Sequence, residues 1–405
     1  MFVRFRASLR WPRRSSVGLV SMLLALGVAL AACGGQESQT QASPTAGARS
    51  NEPIRIGVIL SLTGPLAPNS QGNREGLEFF LQQRGNQIAG RPVQLIVEDD
   101  QGNPQVGLTK AQKLVESDRV HVLTGVISSS VVLALKGYVT EQKVPLVVMQ
   151  AATARLTGED PSPYVTRVIG TFEQSMSALA RWVAQNQGRK RIIVMASDYE
   201  AGYDADRAVR ATAAASGSRV IQSVFIPLGA RDFAPYFTQL DPSGDAIVAF
   251  FGGADAVTFT TQFKQYGLGN RYPLYAHWAL TLDPLLASQG DAALGIYTIQ
   301  EWSADTNIPE NQQFVNAWVS RFGQPPNAWH YLGYTAGMVI EKALQATGGD
   351  ASPQKLAEAL RSVQVNSPSG PIQFDRSGQI TPRFFIARVD RVDGRLKNVL
   401  VEPIQ

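Results

Sequence analysis

A chain of 405 residues with one cysteine and three histidines is short of the usual chemistry-bearing side chains. The single Cys33 excludes an internal disulfide framework and any Cys-x-x-Cys metal or redox site. His121, His277 and His330 stand far apart, and no HExxH helix, GxSxG elbow or GxxxxGK[ST] phosphate loop occurs. Gly252-Gly253 lacks the third glycine of a dinucleotide fingerprint, so no cofactor is expected. Glu98-Asp99-Asp100 precedes an expected helix without calcium-loop spacing, and it reads as capping rather than metal binding. A serine nucleophile would need a base and an orienting group, and nothing in the order of residues sets one beside Ser128–Ser130. An enzyme is therefore not expected.

Charge is scarce too, at 17% of residues, and its small excess of 37 basic over 33 acidic side chains is unevenly placed. Arg4, Arg6, Arg10, Arg13 and Arg14 precede an uncharged run, Val17 to Ala32, that is too short for a membrane span of about 20 residues. This is the layout of an export signal. The run ends in Leu30-Ala31-Ala32-Cys33, which resembles a bacterial lipobox; the resemblance implies cleavage before Cys33 and lipid on its thiol. Removal of residues 1–32 leaves 32 basic against 33 acidic residues, a balance of −1, so nucleic acid is not an expected partner. Residues 33–53 are small and polar, a tether with a reach of about 25 Å.

From Ile54 onward, short apolar runs alternate with amphipathic stretches. RIGVILSL (55–62), VQLIVED (93–99), HVLTGV (121–126) and PLVVMQ (145–150) read as strands with helices between them. The rhythm restarts at RIIVMAS (191–197) and continues through AIVAFFGG (246–253), PLYAHW (273–278) and GIYTIQ (295–300). Strands and helices in that alternation give parallel sheets with crossover helices. The fold class is α/β, with two doubly wound lobes; the ligand cleft between them is what the family resemblance described below implies. Helices near 310–322, 329–346 and 353–363 and a strand-rich tail complete the lobes. The expected division is 54–168 with 301–364 against 169–300 with 365–405, with chain crossings near 165–170, 299–303 and 363–368; the placing of the tail rests on the family resemblance described below.

In open parallel sheets, ligands sit beyond the carboxyl ends of strands. Ser128-Ser129-Ser130 follows one such end just before a helix, and Ala151-Ala152-Thr153 follows the next. Hydroxyls with free N–H groups at a helix start suit a carboxylate without a full counter-charge. Ordinary N-capping explains the same residues equally well at this stage.

In order and spacing, several segments resemble the periplasmic binding proteins of the leucine/isoleucine/valine class that serve ABC importers. They are IGVILSLTGPLA (56–67) with Gly76, EDDQGNPQVGLTKAQKLV (98–115), GVISSS (125–130), VPLVVMQAATARLT (144–157), DYEAGYDA (198–205), FFGGADA (250–256) and SGPIQFDRSG (369–378). The resemblance implies two lobes on three hinge crossings, closing on a small ligand. It also implies that Ser129, Ala151 and Thr153 hold a carboxylate through hydroxyls and main-chain N–H, with Ser128, Ser130 and Ala152 beside them.

On the second lobe the chain departs from the amino-acid binders. His277 or Trp278 stands where they carry an acid for the ligand ammonium, Ala254 beside Asp255 stands where a tyrosine is expected, and Asn69 replaces an aromatic residue. Ala201 occupies another tyrosine position, which leaves Tyr199 or Tyr203 as substitutes. A buried ammonium without an anion is costly. The expected ligand is an aromatic or aliphatic carboxylate, with a branched-chain amino acid as the alternative if Asp255 supplies the acid. The resemblance further implies a monomer outside the cytoplasm, anchored to the membrane through Cys33 and working with an ABC permease and ATPase. A sensor lipoprotein of the same fold is the competing function.

Overall fold

The computed structural model describes residues 52–158 and 160–404. The expected signal (1–32), Cys33 and nearly all of the tether (33–53) lie outside the described residues. Strands β1 (Ile54–Leu60), β2 (Gln87–Ile88), β3 (Arg91–Asp99), β4 (Val122–Gly125), β5 (Leu146–Val148) and β6 (Val165–Arg167) make a sheet ordered β2-β3-β1-β4-β5-β6. All pairings are parallel except the β2 edge. Helices α1 (Ala67–Gln82), α2 (Pro104–Gln112) and α3 (Ser129–Glu141) are its crossovers.

The second sheet uses β7 (Arg191–Ser197), β8 (Arg219–Ile226), β9 (Ala246–Phe250), β10 (Leu274–His277) and β11 (Tyr297–Gln300). Its helices are α4 (Phe172–Gln185), α5 (Glu200–Ala215), α6 (Ala234–Phe237), α7 (Gly253–Gln265) and α8 (Asp283–Gln289). Three further helices, α9 (Pro309–Phe322), α10 (Ala328–Ala346) and α11 (Pro353–Ser362), precede a hairpin of β12 (Gln364–Ser367) and β13 (Gly370–Gln373). The last strands, β14 (Phe384–Val392) and β15 (Arg395–Ile404), then add antiparallel to β11, giving the order β15-β14-β11-β10-β9-β7-β8.

Both faces of the first sheet are covered, which is why β1 is buried nearly throughout. Val131, Val132, Leu135 and Val139 of α3 pack with Leu114 on one side. Leu77, Phe80 and Leu81 of α1 pack with Val339, Ile340 and Leu344 of α10 and Leu356 and Leu360 of α11 on the other. The α1–α10 approach is close enough to need glycine: a Cβ on Gly333 would lie 1.9 Å from the Asn73 carbonyl oxygen, and one on Gly76 2.0 Å from that of His330. Asn327 starts α10, accepting N–H bonds from Trp329 and His330 while His330 Nδ1 accepts from Asn327 N–H.

The hairpin β12–β13 corrects the expected third crossing. Val365 and Ile372 are buried in the first lobe's core with Ile380, so the chain returns to the second lobe after residue 373 rather than near 363–368. The alternating pattern of a short hairpin does not say which lobe its apolar face will join.

The α1–α10 contact sets an expectation for mutagenesis. Gly333→Ala overpacks this interface and lowers stability by about 1–3 kcal/mol or more. Urea unfolding followed by circular dichroism would record it as an earlier midpoint.

Candidate functional site

Residues at or just beyond the carboxyl ends of β4, β5, β7, β9 and β10 line one space: Ile127, Gln150, Tyr199, Phe250, and His277 with Trp278. The turn after β4 is sharply bent. Gly125 has φ 104°, a Cβ there would lie 2.2 Å from the Ile59 carbonyl oxygen, and Val126 follows at φ 56°. A β-branched residue at positive φ is strained, and the strain is held by Val126 N–H donating to Ile59 O at 2.7 Å. This bend delivers Ile127 to the cleft and Ser128 to the N-cap of α3, where its side chain makes no capping bond.

A narrow cleft with a cavity volume of about 30 Å3 lies between the lobes. Leu66, Asn69, Ile127 and Gln150 line it from the first lobe; Phe172, Tyr199, Phe250, His277, Trp278 and Ala279 line it from the second, with Ile169 at the first crossing. The rings form one cluster: Phe172 and Phe250 are 4.8 Å apart by centroid, and His277 lies 5.5, 5.3 and 4.9 Å from Phe172, Phe250 and Trp278. The lobes meet across this space, because a Cβ on Gly253 (φ 59°) would lie 2.3 Å from the Pro65 carbonyl oxygen. Arg155 and Glu200 add an exposed ion pair across the same boundary at 3.0 Å, of little energetic weight.

Of the residues singled out in the sequence, Tyr199, His277 and Trp278 line the cleft. Tyr203 instead hydrogen-bonds Asp198 on the outside. Ser129 and Thr153 are buried, neither is among the residues that line the cleft, and neither hydroxyl has a hydrogen-bond partner. Thr153 meets the Asp204 carboxyl of the other lobe in poor hydrogen-bond geometry. Ser128 is buried and Ser130 half-buried.

Expectations change at four residues. Ala151 N–H is already donated to Val126 O at 3.0 Å, so it is not free for a carboxylate. Ala152 packs among the buried apolar residues that include Phe172 and Met176, and its carbonyl accepts from Phe172 N–H at 2.9 Å. Ala254 is exposed on the first turn of α7, because the helix begins at Gly253 and turns that side chain outward. Asp255 is buried, but both its oxygens accept from Gly229 N–H at 3.1 Å and it is absent from the lining.

Sequence reasoning missed the amide cluster on α1. Asn73 Nδ2 donates to Asn69 O (2.9 Å) and to Gln150 Oε1 (2.8 Å), leaving Asn69 Oδ1 and Asn73 Oδ1 buried and unpartnered. Two asparagines four residues apart before an apolar helix face were the available signal. It also missed Glu301 at the second crossing, which is buried, accepts from Gly170 N–H at 3.0 Å through Oε2, and has no partner for Oε1.

Burial governs the protonation states here. Burial among rings pushes His277 down to about 3, so it is a neutral hydrogen-bonding ring. Burial pushes Glu301 up to about 7, against the opposing pull of Gly170 N–H and the Arg167 charge. Among the described residues, no group of three His, Cys, Asp or Glu side chains could hold a metal ion, and no helix is long and apolar enough to cross a membrane.

A family model described as periplasmic binding protein matches residues 53–395. The chain is 31% identical over 347 residues to a Leu/Ile/Val-binding protein homolog of Brucella suis, covering 84% of this chain and 88% of that protein. A solved ABC transporter substrate-binding protein from Sphaerobacter thermophilus is 34% identical with a TM-score of 0.81, covering 87% and 98% of the two chains. A Rhodopseudomonas palustris solute binding protein of an ABC transporter, solved with 3,4-dihydroxy benzoic acid, is 31% identical with a TM-score of 0.81, covering 86% and 96%.

Two outcomes follow from this geometry. Gly253→Val places a side chain against Pro65 and props the lobes apart, raising the radius of gyration in solution scattering and weakening ligand binding. Acid should also loosen the fold through its histidines. His277 and His330 are held near 3 and 4 by burial, below the roughly 6.5 of an unfolded histidine. The unfolded chain takes up those protons first, so their stabilising effect is complete above about pH 6.5 and is lost as pH falls. Glu301, raised from about 4.5, opposes this between about pH 7 and 4.5. Urea titrations at pH 7 and pH 5 should therefore show a larger loss of stability in Glu301→Gln than in the parent.

Proposed function

Given that the chain belongs to the periplasmic binding protein family, we propose that it is the receptor of an ABC uptake system for a small aromatic carboxylate. The observation that carries this reading is the cleft lining: an aromatic second-lobe wall, and no carboxylate among the residues around it. Asp255, the acid expected from the sequence to serve an ammonium, is turned to Gly229. The unpartnered Ser129 and Thr153 hydroxyls offer the carboxylate charge-assisted hydrogen bonds, and the Phe172, Phe250 and Trp278 rings take the apolar body. An aromatic acid is also what the Rhodopseudomonas palustris relative was solved with.

The receptor works by differential contact. A ligand that touches Asn69 and Gln150 on one lobe and Trp278 and Tyr199 on the other stabilises the closed form over the open one. The two bodies that move are 52–168 with 301–373 and 169–300 with 384–404. The closed surface is what a permease would read. The charged front and Leu30–Cys33 support a lipid on Cys33 that keeps the monomeric receptor at the membrane face outside the cytoplasm.

Isothermal calorimetry with benzoate and leucine checks this. Benzoate binds and leucine does not; binding of leucine without benzoate would overturn the proposal. Ser129→Ala combined with Thr153→Ala should weaken benzoate by roughly tenfold or more, since hydrogen bonds to a charged group contribute about 1.5–3 kcal/mol each.

A further inference from the structure

In the cleft, the direction of the Gln150 amide is fixed by a chain of contacts that begins at a backbone carbonyl. Asn69 O can only accept, so the Asn73 atom 2.9 Å from it is the donor Nδ2. The second hydrogen of Nδ2 goes to the Gln150 side chain at 2.8 Å, and the Gln150 atom there is the acceptor Oε1. Turning the Asn73 amide round would set two acceptors against each other, and turning that of Gln150 would set two donors together. Gln150 Nε2 is thereby left over. It donates to no acceptor among the described residues, on a side chain that is 8% exposed and lines the cleft. An almost buried NH2 with neither hydrogen engaged is costly and asks for an acceptor.

Resting on the carboxylate reading above, we propose that Gln150 Nε2 donates to a carboxylate oxygen of the ligand, and that Asn73 is the positioning residue that keeps this donor end turned to the cleft. Ser129 and Thr153 lie outside the lining, so Gln150 is a first-lobe donor that an entering anion meets at the cleft surface itself. If Gln150 served only to receive Asn73, a bare oxygen would suffice, and its two N–H hydrogens would face the cleft unused. Asn69 Oδ1 is also without a partner, but no contact fixes which end of that amide faces the ligand. In the second-lobe wall, His277 Nδ1 accepts from Ala279 N–H at 3.4 Å, which leaves the proton of this neutral ring on Nε2 and supplies a second donor. The cleft, with a cavity volume of about 30 Å3, admits a ring only when the lobes part, so the bond to Gln150 forms as they close on the ligand.

Calorimetric titration of the intact receptor with benzoate and benzamide tests the assignment. The parent should prefer benzoate by roughly tenfold or more, because a hydrogen bond to a charged acceptor is the stronger one; equal binding of the two overturns the proposal. Gln150→Glu keeps an oxygen for Asn73 and turns a second oxygen on the ligand. The benzoate-to-benzamide ratio should then fall by roughly tenfold or more, since benzamide can offer hydrogens and benzoate cannot. An unchanged ratio overturns the role of Gln150. Should that variant fail to fold, Gln150→Met keeps the length, removes the donor and must weaken benzoate by roughly tenfold; unchanged affinity overturns the role equally. Asn73 does not line the cleft, and Asn73→Ala frees the Gln150 amide to turn. The same ratio should drop several-fold, whereas equal weakening of both ligands, the mark of a merely structural role, overturns the positioning by Asn73. Binding of leucine with no binding of benzoate would bring down the underlying reading and this inference with it, a result distinct from benzoate binding that ignores Gln150.

Discussion

A fully buried guanidinium, that of Arg167, holds the hinge and the cleft in one arrangement. Its Nη1 donates to the carbonyls of Ala151 (3.1 Å) and Thr153 (2.6 Å), Nη2 to Thr157 Oγ1 (2.7 Å), and Nε to Gln379 Oε1 (2.7 Å). Gln379 Nε2 in turn donates to Ile169 O and Ile380 O, so the first and third crossings are stitched by one amide. Glu301, on the second crossing, takes Gly170 N–H and faces the same cation. Burial lowers Arg167 to about 9, which still leaves it charged at neutral pH. An isolated buried charge would be prohibitive, and the four acceptors are what make it tolerable.

That cation also shapes recognition. By drawing the Ala151 and Thr153 carbonyls toward itself, it keeps two acceptors away from where an anion would sit. The cleft needs no lysine or arginine in its lining, because positive charge acts from below the cradle through oriented peptide groups. On the opposite lobe the burial that keeps His277 neutral removes a second potential cation, leaving apolar and weakly polar surface. In the proposed reading, selectivity for an acid would rest on Ser129, Thr153 and the buried guanidinium, and the remaining walls would select the body of the ligand.

Much of this was legible before any coordinates. Strand alternation located RIGVIL, RIIVMA and their successors, because residues sealed on both sheet faces leave uninterrupted apolar runs. Trp278 and Tyr199 were legible as cleft residues through the family resemblance; Trp278 directly follows β10, and Tyr199 lies two residues beyond β7. Ala254 was not, since whether α7 begins at Gly253 or three residues later rotates that side chain from the cleft to solvent. The amides of Asn69, Asn73 and Gln150 read as ordinary helix and strand-end polarity until packing puts them side by side. Glu301 was hidden for a similar reason: one acid after a strand says nothing about the guanidinium it will face. The late third crossing shows the same limit, because Val365 and Ile372 alternate correctly but carry no address for the lobe they join.

The interleaving of the chain between lobes has a consequence for biogenesis. Helix α1 is sealed by α10, which begins about 250 residues later in the chain, so the first sheet stays uncovered on one face until most of the polypeptide is available. Such distant pairings are entropically slow to form. For a protein that works outside the cytoplasm, this delays the completion of either lobe until translocation is nearly finished. A precursor still threading through a membrane pore would then present a loosely collapsed, pullable chain rather than a stable knot of structure that must first be torn open.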